Sequence, residues 1–155
     1  MRCPSGDPKS GLFRDEGDLT DGLEDAGGDL PRSGEDTDAE LAGFKARKGK
    51  LILWHGWADT ALPAQATIDY YRQVQAHDGA AADYCRLFLV PGCLHCGGGP
   101  GAADVDWLSV IVDWVEQNKA PDRLIASRKE NGKALITRPL FPYPAFAVYK
   151  GSGDT

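Results

Sequence analysis

Two apolar runs in this chain each deliver a chemically capable side chain into a turn. The first, Leu51-Ile52-Leu53-Trp54-His55-Gly56-Trp57-Ala58-Asp59, ends on a carboxylate. The second, Leu87-Phe88-Leu89-Val90, runs through Pro91-Gly92-Cys93-Leu94 to His95, Cys96 and a string of glycines. In a serine hydrolase the imidazole takes the proton of the nucleophile and hands it to the leaving group, while a buried carboxylate fixes its tautomer and stabilises the imidazolium. Asp59 and His95 have the residue types, the order and the placement for those two catalytic roles. The serine of an α/β-hydrolase precedes both, on a sharp strand-to-helix turn, and the sequence shows no such turn. Cys3-Pro4-Ser5-Gly6 imitates it locally, but no strand precedes it and proline stands where the elbow wants the nucleophile, so Ser5 is set aside and no nucleophile is assigned.

The same residues support plainer readings. Asp59 fits a turn or a helix cap, and His95 fits a loop histidine bonded to backbone. His55, at a strand end before a glycine, and His77, at a helix end where a dipole interaction accounts for it, are weaker catalytic candidates. Cys93-Leu94-His95-Cys96 has thioredoxin-like spacing, but that motif needs a helix starting at the first cysteine, and the glycines that follow would break it. A zinc site built from Cys85, Cys93, His95 and Cys96 lacks the second ligand knuckle of structural zinc sites, so no metal ligand is assigned. Cys85 reads as a buried thiol.

The elements that must position Asp59 and His95 form an alternating pattern. Leu51 to Trp54, preceded by Lys48-Gly49-Lys50, reads as a strand buried on both faces. Ile68, Tyr71 and Val74 recur at helical spacing between Pro63 and Gly79. Arg86 to Val90 form the second strand, stopped by Pro91-Gly92. From Asp104 onward, Val105, Leu108, Ile111, Val112 and Val115 define one helix face, ended by Asn118, Lys119 and Pro121, and this helix is expected to pack on the same sheet. Both candidate residues then lie at the carboxyl ends of parallel strands, where open α/β sheets place their ligands. Only two strands are convincing, so the expected fold is the C-terminal part of a larger α/β domain. The three prolines from Pro139 to Pro144 argue against a central strand, and the tail from Ile136 to Gly153 is expected to lie extended across the fold.

Composition bounds the rest. At 155 residues and 42% hydrophobic the chain can bury one ordinary core, and no apolar run has the length of a membrane span. The net charge is −6, and residues 1–43 carry 12 of the 23 acidic residues against 4 basic ones. The acidity therefore belongs to the N-terminal segment, and the remainder lacks the basic surplus that nucleic-acid binding needs. Residues 1–36, acidic and rich in glycine, are expected to be a disordered linker. A short helix is expected between Thr37 and Lys48, carrying Leu41 and Phe44, with Asp36 or Thr37 as its cap. Met1 to Gly11 contains no apolar signal-peptide region.

The segments HGWADTALPAQATIDYYRQV, RLFLVPGCLHCGGGPG, VDWVEQNKAPDRLIASR and RPLFPYPAFAVYKGSGD together resemble the C-terminal end of the tannase and feruloyl esterase family, over about Asp36 to Asp154. The resemblance implies secreted or periplasmic α/β-hydrolases acting on esters of phenolic or hydroxycinnamic acids, with Asp59 and His95 catalytic. It also implies that Cys96 pairs with a cysteine beside the nucleophilic serine, in an N-terminal portion not represented here. The calcium-binding lid implied by the resemblance falls between serine and aspartate and is not expected in this chain, whose family-like domain is residues 37–154, and no cofactor is expected there either; the acidic residues 15–40 read as a degraded remnant of the lid or, more plainly, as solvated linker. Cys93 stands where the family usually has methionine, and Phe141 where it commonly has cysteine. The expectations are thus a small phenolic ester as partner, an N-terminal half supplying the serine, and no activity of this chain by itself. The alternative is a non-catalytic remnant serving as a scaffold or interaction fragment.

Overall fold

In a computed structural model of the chain, residues 38–148 are described, within a unit that begins at Asp38. The linker expected over residues 1–36, the Asp36 and Thr37 caps, Cys3, Ser5 and the tail beyond residue 148 lie outside the described residues. The first element is a single helical turn, α1 (Ala42–Ala46), whose N-cap is Leu41 with no side-chain bond. Strand β1 (Leu51–Gly56) follows, then helix α2 (Ala64–His77), entered directly from Pro63. A 3-10 turn over Ala81–Asp83 leads into β2 (Cys85–Val90), which pairs in parallel with β1 from Leu51 opposite Cys85 to Gly56 opposite Val90. The parallel, α/β arrangement read from the sequence is therefore present.

Strand β2 alternates its burial between two cores. Cys85 and Leu87 face α2 and pack with Ile68, Tyr71, Val74 and Ala81. Phe88 and Val90 face the other way and pack with Cys93, Ala102, Ala126 and Leu140. With no polar face to show to water, an apolar run in a parallel strand can be covered only in this way.

Two expectations are corrected. The first concerns helix α3 (Trp107–Gln117), capped by Asp106, whose carboxylate accepts from the Ser109 N–H at 3.1 Å, and closed by Asn118 in the left-handed region. Its expected face is covered only in part: Val105 packs against the second core, whereas Leu108, Val112 and Val115 are exposed and the fully buried residue is Trp114. The helix is anchored through aromatic contacts, with Trp107 stacked on Trp54 at 5.7 Å and tilted against Phe88 at 5.8 Å, and Lys50 over the Trp114 ring. A periodic stripe reports that a helix has an apolar face, not that the covering surface lies among the same residues.

The second correction concerns the tail. Strands β3 (Leu124–Glu130) and β4 (Lys133–Leu140) form an antiparallel hairpin, over residues given no element from sequence and the first part of the expected extended tail from Ile136. The missed signal was Asn131-Gly132, both at positive φ, which is the two-residue turn that closes tight hairpins. Pro139 is accommodated one residue before the end of β4, in a two-stranded sheet where a missing N–H costs little. Beyond β4 the chain does cross the fold: Tyr143 N–H donates to the Leu87 carbonyl at 2.8 Å and Pro142 bridges to Phe88. This segment covers the outer edge of β2.

Candidate active site

Parallel strands of equal length place their following loops side by side, and here backbone bonds tie the two loops together. The Trp57 N–H donates to the Val90 carbonyl at 2.9 Å and the Ala58 N–H to the Cys93 carbonyl at 3.0 Å. The loops approach so closely at Gly56 that any Cβ there would overlap the Cys93 and Leu94 carbonyl oxygens. The return of the second loop is equally tight. The Gly101 N–H donates to the Gly92 carbonyl at 3.1 Å, with Gly92 at φ +69°. The hairpin braces this return, because Asp104 and Ser127 exchange two backbone bonds and the Arg128 guanidinium donates to the Pro100 carbonyl.

These ties bring Asp59 and His95 together from 36 residues apart, with His95 Nδ1 at 2.7 Å from Asp59 Oδ2. The carboxylate side chain is 2% exposed and the imidazole 50% exposed. Asp59 Oδ1 accepts from the Ala61 and Leu62 N–H groups at 2.8 and 3.0 Å. Burial pushes the Asp59 pKa up, but the Leu62 N–H, the His95 ring and the Ala61 N–H outweigh it and hold the carboxyl at about 2. A carboxylate that stays ionised can only accept, so His95 Nδ1 carries the shared proton and Nε2 is left to receive one. This is the polarity required of a general base. The turn and loop readings of the two residues describe part of the same geometry: Asp59 does bond backbone N–H groups, and the imidazole uses the carboxylate rather than backbone.

His55, ranked low from sequence, sits on the same carboxylate. Its Nε2 is 3.2 Å from Asp59 Oδ2 and 3.1 Å from the Leu62 carbonyl, and its Nδ1 is 2.8 Å from Thr67 Oγ1 in the first turns of α2. The signal for it was a histidine four residues before the aspartate across a strand-to-turn junction. His77 closes the last turn of α2 as expected.

The cysteines separate. Cys85 and Cys93 are buried thiols; burial pushes Cys85 up to about 11, and burial with the charges of Asp59 and Asp104 raises Cys93. Cys93 Sγ is turned to the Leu94 carbonyl at 3.3 Å, and Cys96 is exposed. The zinc set of Cys85, Cys93, His95 and Cys96 does not converge: among the described residues no group of three or more His, Cys, Asp or Glu side chains is gathered as a metal site. No helix among them is long and apolar enough to cross a membrane.

Several known proteins similar to this chain are named as esterases or hydrolases. A mono(2-hydroxyethyl) terephthalate hydrolase from Piscinibacter sakaiensis is 50% identical over 121 residues, 76% of this chain and 20% of the relative. A probable feruloyl esterase from Arthroderma benhamiae is 40% identical over 122 residues, 74% of this chain and 22% of that protein. Among solved structures, a tannin acyl hydrolase from Aspergillus niger superposes with a TM-score of 0.68 at 27% identity, over 77% of this chain and 24% of the other. The chain thus spans about a fifth to a quarter of the length of these relatives. The family model for tannase and feruloyl esterase matches residues 10–155, starting upstream of Asp36, where the resemblance read from the sequence begins. With a match over nearly all of its length, and a fold shared with solved members, the chain belongs to the tannase and feruloyl esterase family.

Proposed function

We propose that this chain carries the acid–base half of a serine carboxylic-ester hydrolase acting on esters of phenolic or hydroxycinnamic acids. The observation that carries the reading is the 2.7 Å contact between a half-exposed imidazole and a buried, ionised carboxylate. His95 Nε2 takes the hydroxyl proton of a serine as its Oγ bonds to the ester carbonyl carbon. Asp59 stabilises the imidazolium, and the same proton then passes to the departing alkoxide, leaving an acyl-serine and an alcohol. Water enters by the same steps in reverse roles, its proton going to Nε2 and its oxygen to the acyl carbon, and serine leaves with the proton.

The relatives' names share one chemistry, ester bonds of aromatic acids, and this supports the substrate class. The serine and the oxyanion donors come from a partner segment, an N-terminal half of the family fold, and the chain by itself is inactive. That half joins at β1: the outer edge of β2 is taken by Pro142 and Tyr143, whereas β1 pairs with β2 alone among the described residues. Family likeness also supports a secreted or periplasmic location, checked by fractionation of the producing cell.

The test is hydrolysis of methyl ferulate and methyl gallate by the purified chain, and by the chain co-expressed with a family N-terminal half carrying the serine. No turnover alone, turnover in the mixture, and a loss of at least about 10³-fold with His95→Ala are the expected results. Turnover by the chain alone would mean that it holds its own nucleophile. Turnover in neither would sink the half-site.

A further inference from the structure

We infer that the cleft between the Asp59 turn and the segment after β4 is an accessory binding site for a small neutral phenol, separate from the paired Asp59 and His95. The cleft has a volume of about 550 Å³. Trp57 and Pro91 wall it from the two loops after the parallel strands, and Phe141, Tyr143, Pro144 and Phe146 wall it from the other side. Neither Asp59 nor His95 lines it. The volume lies within the range of small-molecule sites and well above the roughly 150 Å³ that holds one benzene ring. Trp57 stands two residues before Asp59, so the site adjoins the Asp59 turn while leaving out the reacting pair. It goes beyond the esterase reading and does not depend on it.

Much of the wall is held in place by bonds outside the cleft. The Trp57 N–H donates to the Val90 carbonyl at 2.9 Å and the Tyr143 N–H to the Leu87 carbonyl at 2.8 Å, so both aromatic residues are fixed to the backbone of β2. The Tyr143 ring meets Tyr71 of α2 edge-on at 6.3 Å, and its hydroxyl accepts from the Arg72 guanidinium at 2.6 Å. The Ala145 N–H donates to the Pro142 carbonyl at 3.0 Å and closes the turn that leads to Phe146. Trp57 and Phe146 are nevertheless 55% and 78% exposed, and covering such aromatic surface with another ring is favourable. The lining then selects among rings. Its side chains carry no charge, so a carboxylate or an ammonium would lose its water there with nothing to replace it. Pro91, Pro139 and Pro144 contribute carbonyl oxygens and no N–H groups, and the Trp57, Tyr143 and Ala145 N–H groups are already committed. The ligand that fits has an aromatic ring, hydroxyl hydrogens for a carbonyl-rich wall, and no charge.

The test is titration of the full 155-residue chain with methyl gallate, read by calorimetry and by the proton–nitrogen signal of the Trp57 indole, which is assigned by its loss in Trp57→Phe. Saturable binding with a Kd of about 1 mM or tighter is expected, with that signal shifting. Two further probes set the chemistry. Gallate, ionised at neutral pH, and methyl benzoate, which lacks the hydroxyls, are each expected to bind at least about 5-fold more weakly. Trp57→Ala and Phe146→Ala remove exposed rings and leave the core intact; each is expected to weaken binding about 3–10-fold. Ala147→Trp places a ring in the cleft from its own wall and is expected to abolish binding. His95→Ala is expected to leave it unchanged. Gallate binding as tightly as its methyl ester overturns the inference, as does an indole signal that shows no saturable shift. Binding lost in His95→Ala and kept in Trp57→Ala overturns it too, by placing the ligand on the Asp59–His95 pair. Because no turnover is measured, a failure of complementation bears on the esterase reading alone.

Discussion

Strands β1 and β2 are nearly the same object in sequence and quite different ones in the fold. Both are six residues long and largely apolar, and the loop after each carries one of the two paired residues, Asp59 and His95. Yet Cys85, Leu87, Phe88 and Val90 of β2 are fully buried, while Trp54 of β1 is 37% exposed and Leu51, Ile52 and Leu53 are only partly covered. The difference lies in the edges: β2 has β1 on one side and the Pro142–Tyr143 segment on the other, and among the described residues β1 has a partner on one side only. The loops reverse the contrast. The carboxylate after the less buried strand is almost fully covered and held by two backbone N–H groups and the His95 ring, whereas the imidazole after the buried strand is half exposed. The burial of a site side chain is thus set by its local hydrogen bonds, and need not follow the burial of the strand that leads into it.

This comparison can be broken in several places. The largest effect is expected from Phe88→Ala, which empties a fully buried position between Trp107 and the hairpin; urea unfolding should show a loss of about 3–5 kcal/mol. Gly56→Ala forces the two loops apart at the Cys93 and Leu94 carbonyls, with a cost of about 1–3 kcal/mol and loss of the Nδ1–H signal of His95 bonded to Asp59. The equivalent truncation on the exposed strand, Trp54→Ala, removes one stacking contact with Trp107 and is expected to cost about 1–2 kcal/mol, well below Phe88→Ala. Equal losses for the two aromatic truncations would contradict the edge account.

Titration sharpens the loop half of the comparison. Because the folded Asp59 pKa lies below its ordinary value of 3.8, its stabilising contribution is complete above about pH 4 and is lost as pH falls through about 2. The carboxyl carbon shift of Asp59 should show a midpoint near 2; a midpoint at 3.8 would mean that the donors around it do not act as the geometry implies. The smallest effect is expected from Leu108→Asp on the exposed stripe of α3, within about 0.5 kcal/mol for this chain. In the complemented assembly the same change tests whether the stripe is covered by the serine-bearing half, and weakened complementation is the expected outcome.

Much of this was legible in the residues because it depends on local pattern. Ile68, Tyr71 and Val74 marked the buried face of α2, and glycine-bounded apolar runs marked both parallel strands. Pro63 and Asn118 marked helix ends, and Asp59 and His95 stood at the strand ends where a sheet presents its chemistry. The hairpin was also written locally, in Asn131-Gly132, but the prolines nearby masked it; Pro139 excludes a central strand and not an edge one.

What only the tertiary structure decided is which partners those patterns find. Periodicity cannot tell whether Leu108, Val112 and Val115 meet a sheet or solvent, since burial belongs to the pair of surfaces and not to one of them. Nor can spacing show that His55 and His95, 40 residues apart, both come within 3.2 Å of one oxygen of Asp59, because that convergence depends on two parallel strands ending level and on a glycine that lets their loops touch. The sequence by itself determined the residue types, their order and the strands that carry them. The three-dimensional register, set by backbone bonds between distant segments, determined that they form one hydrogen-bonded site.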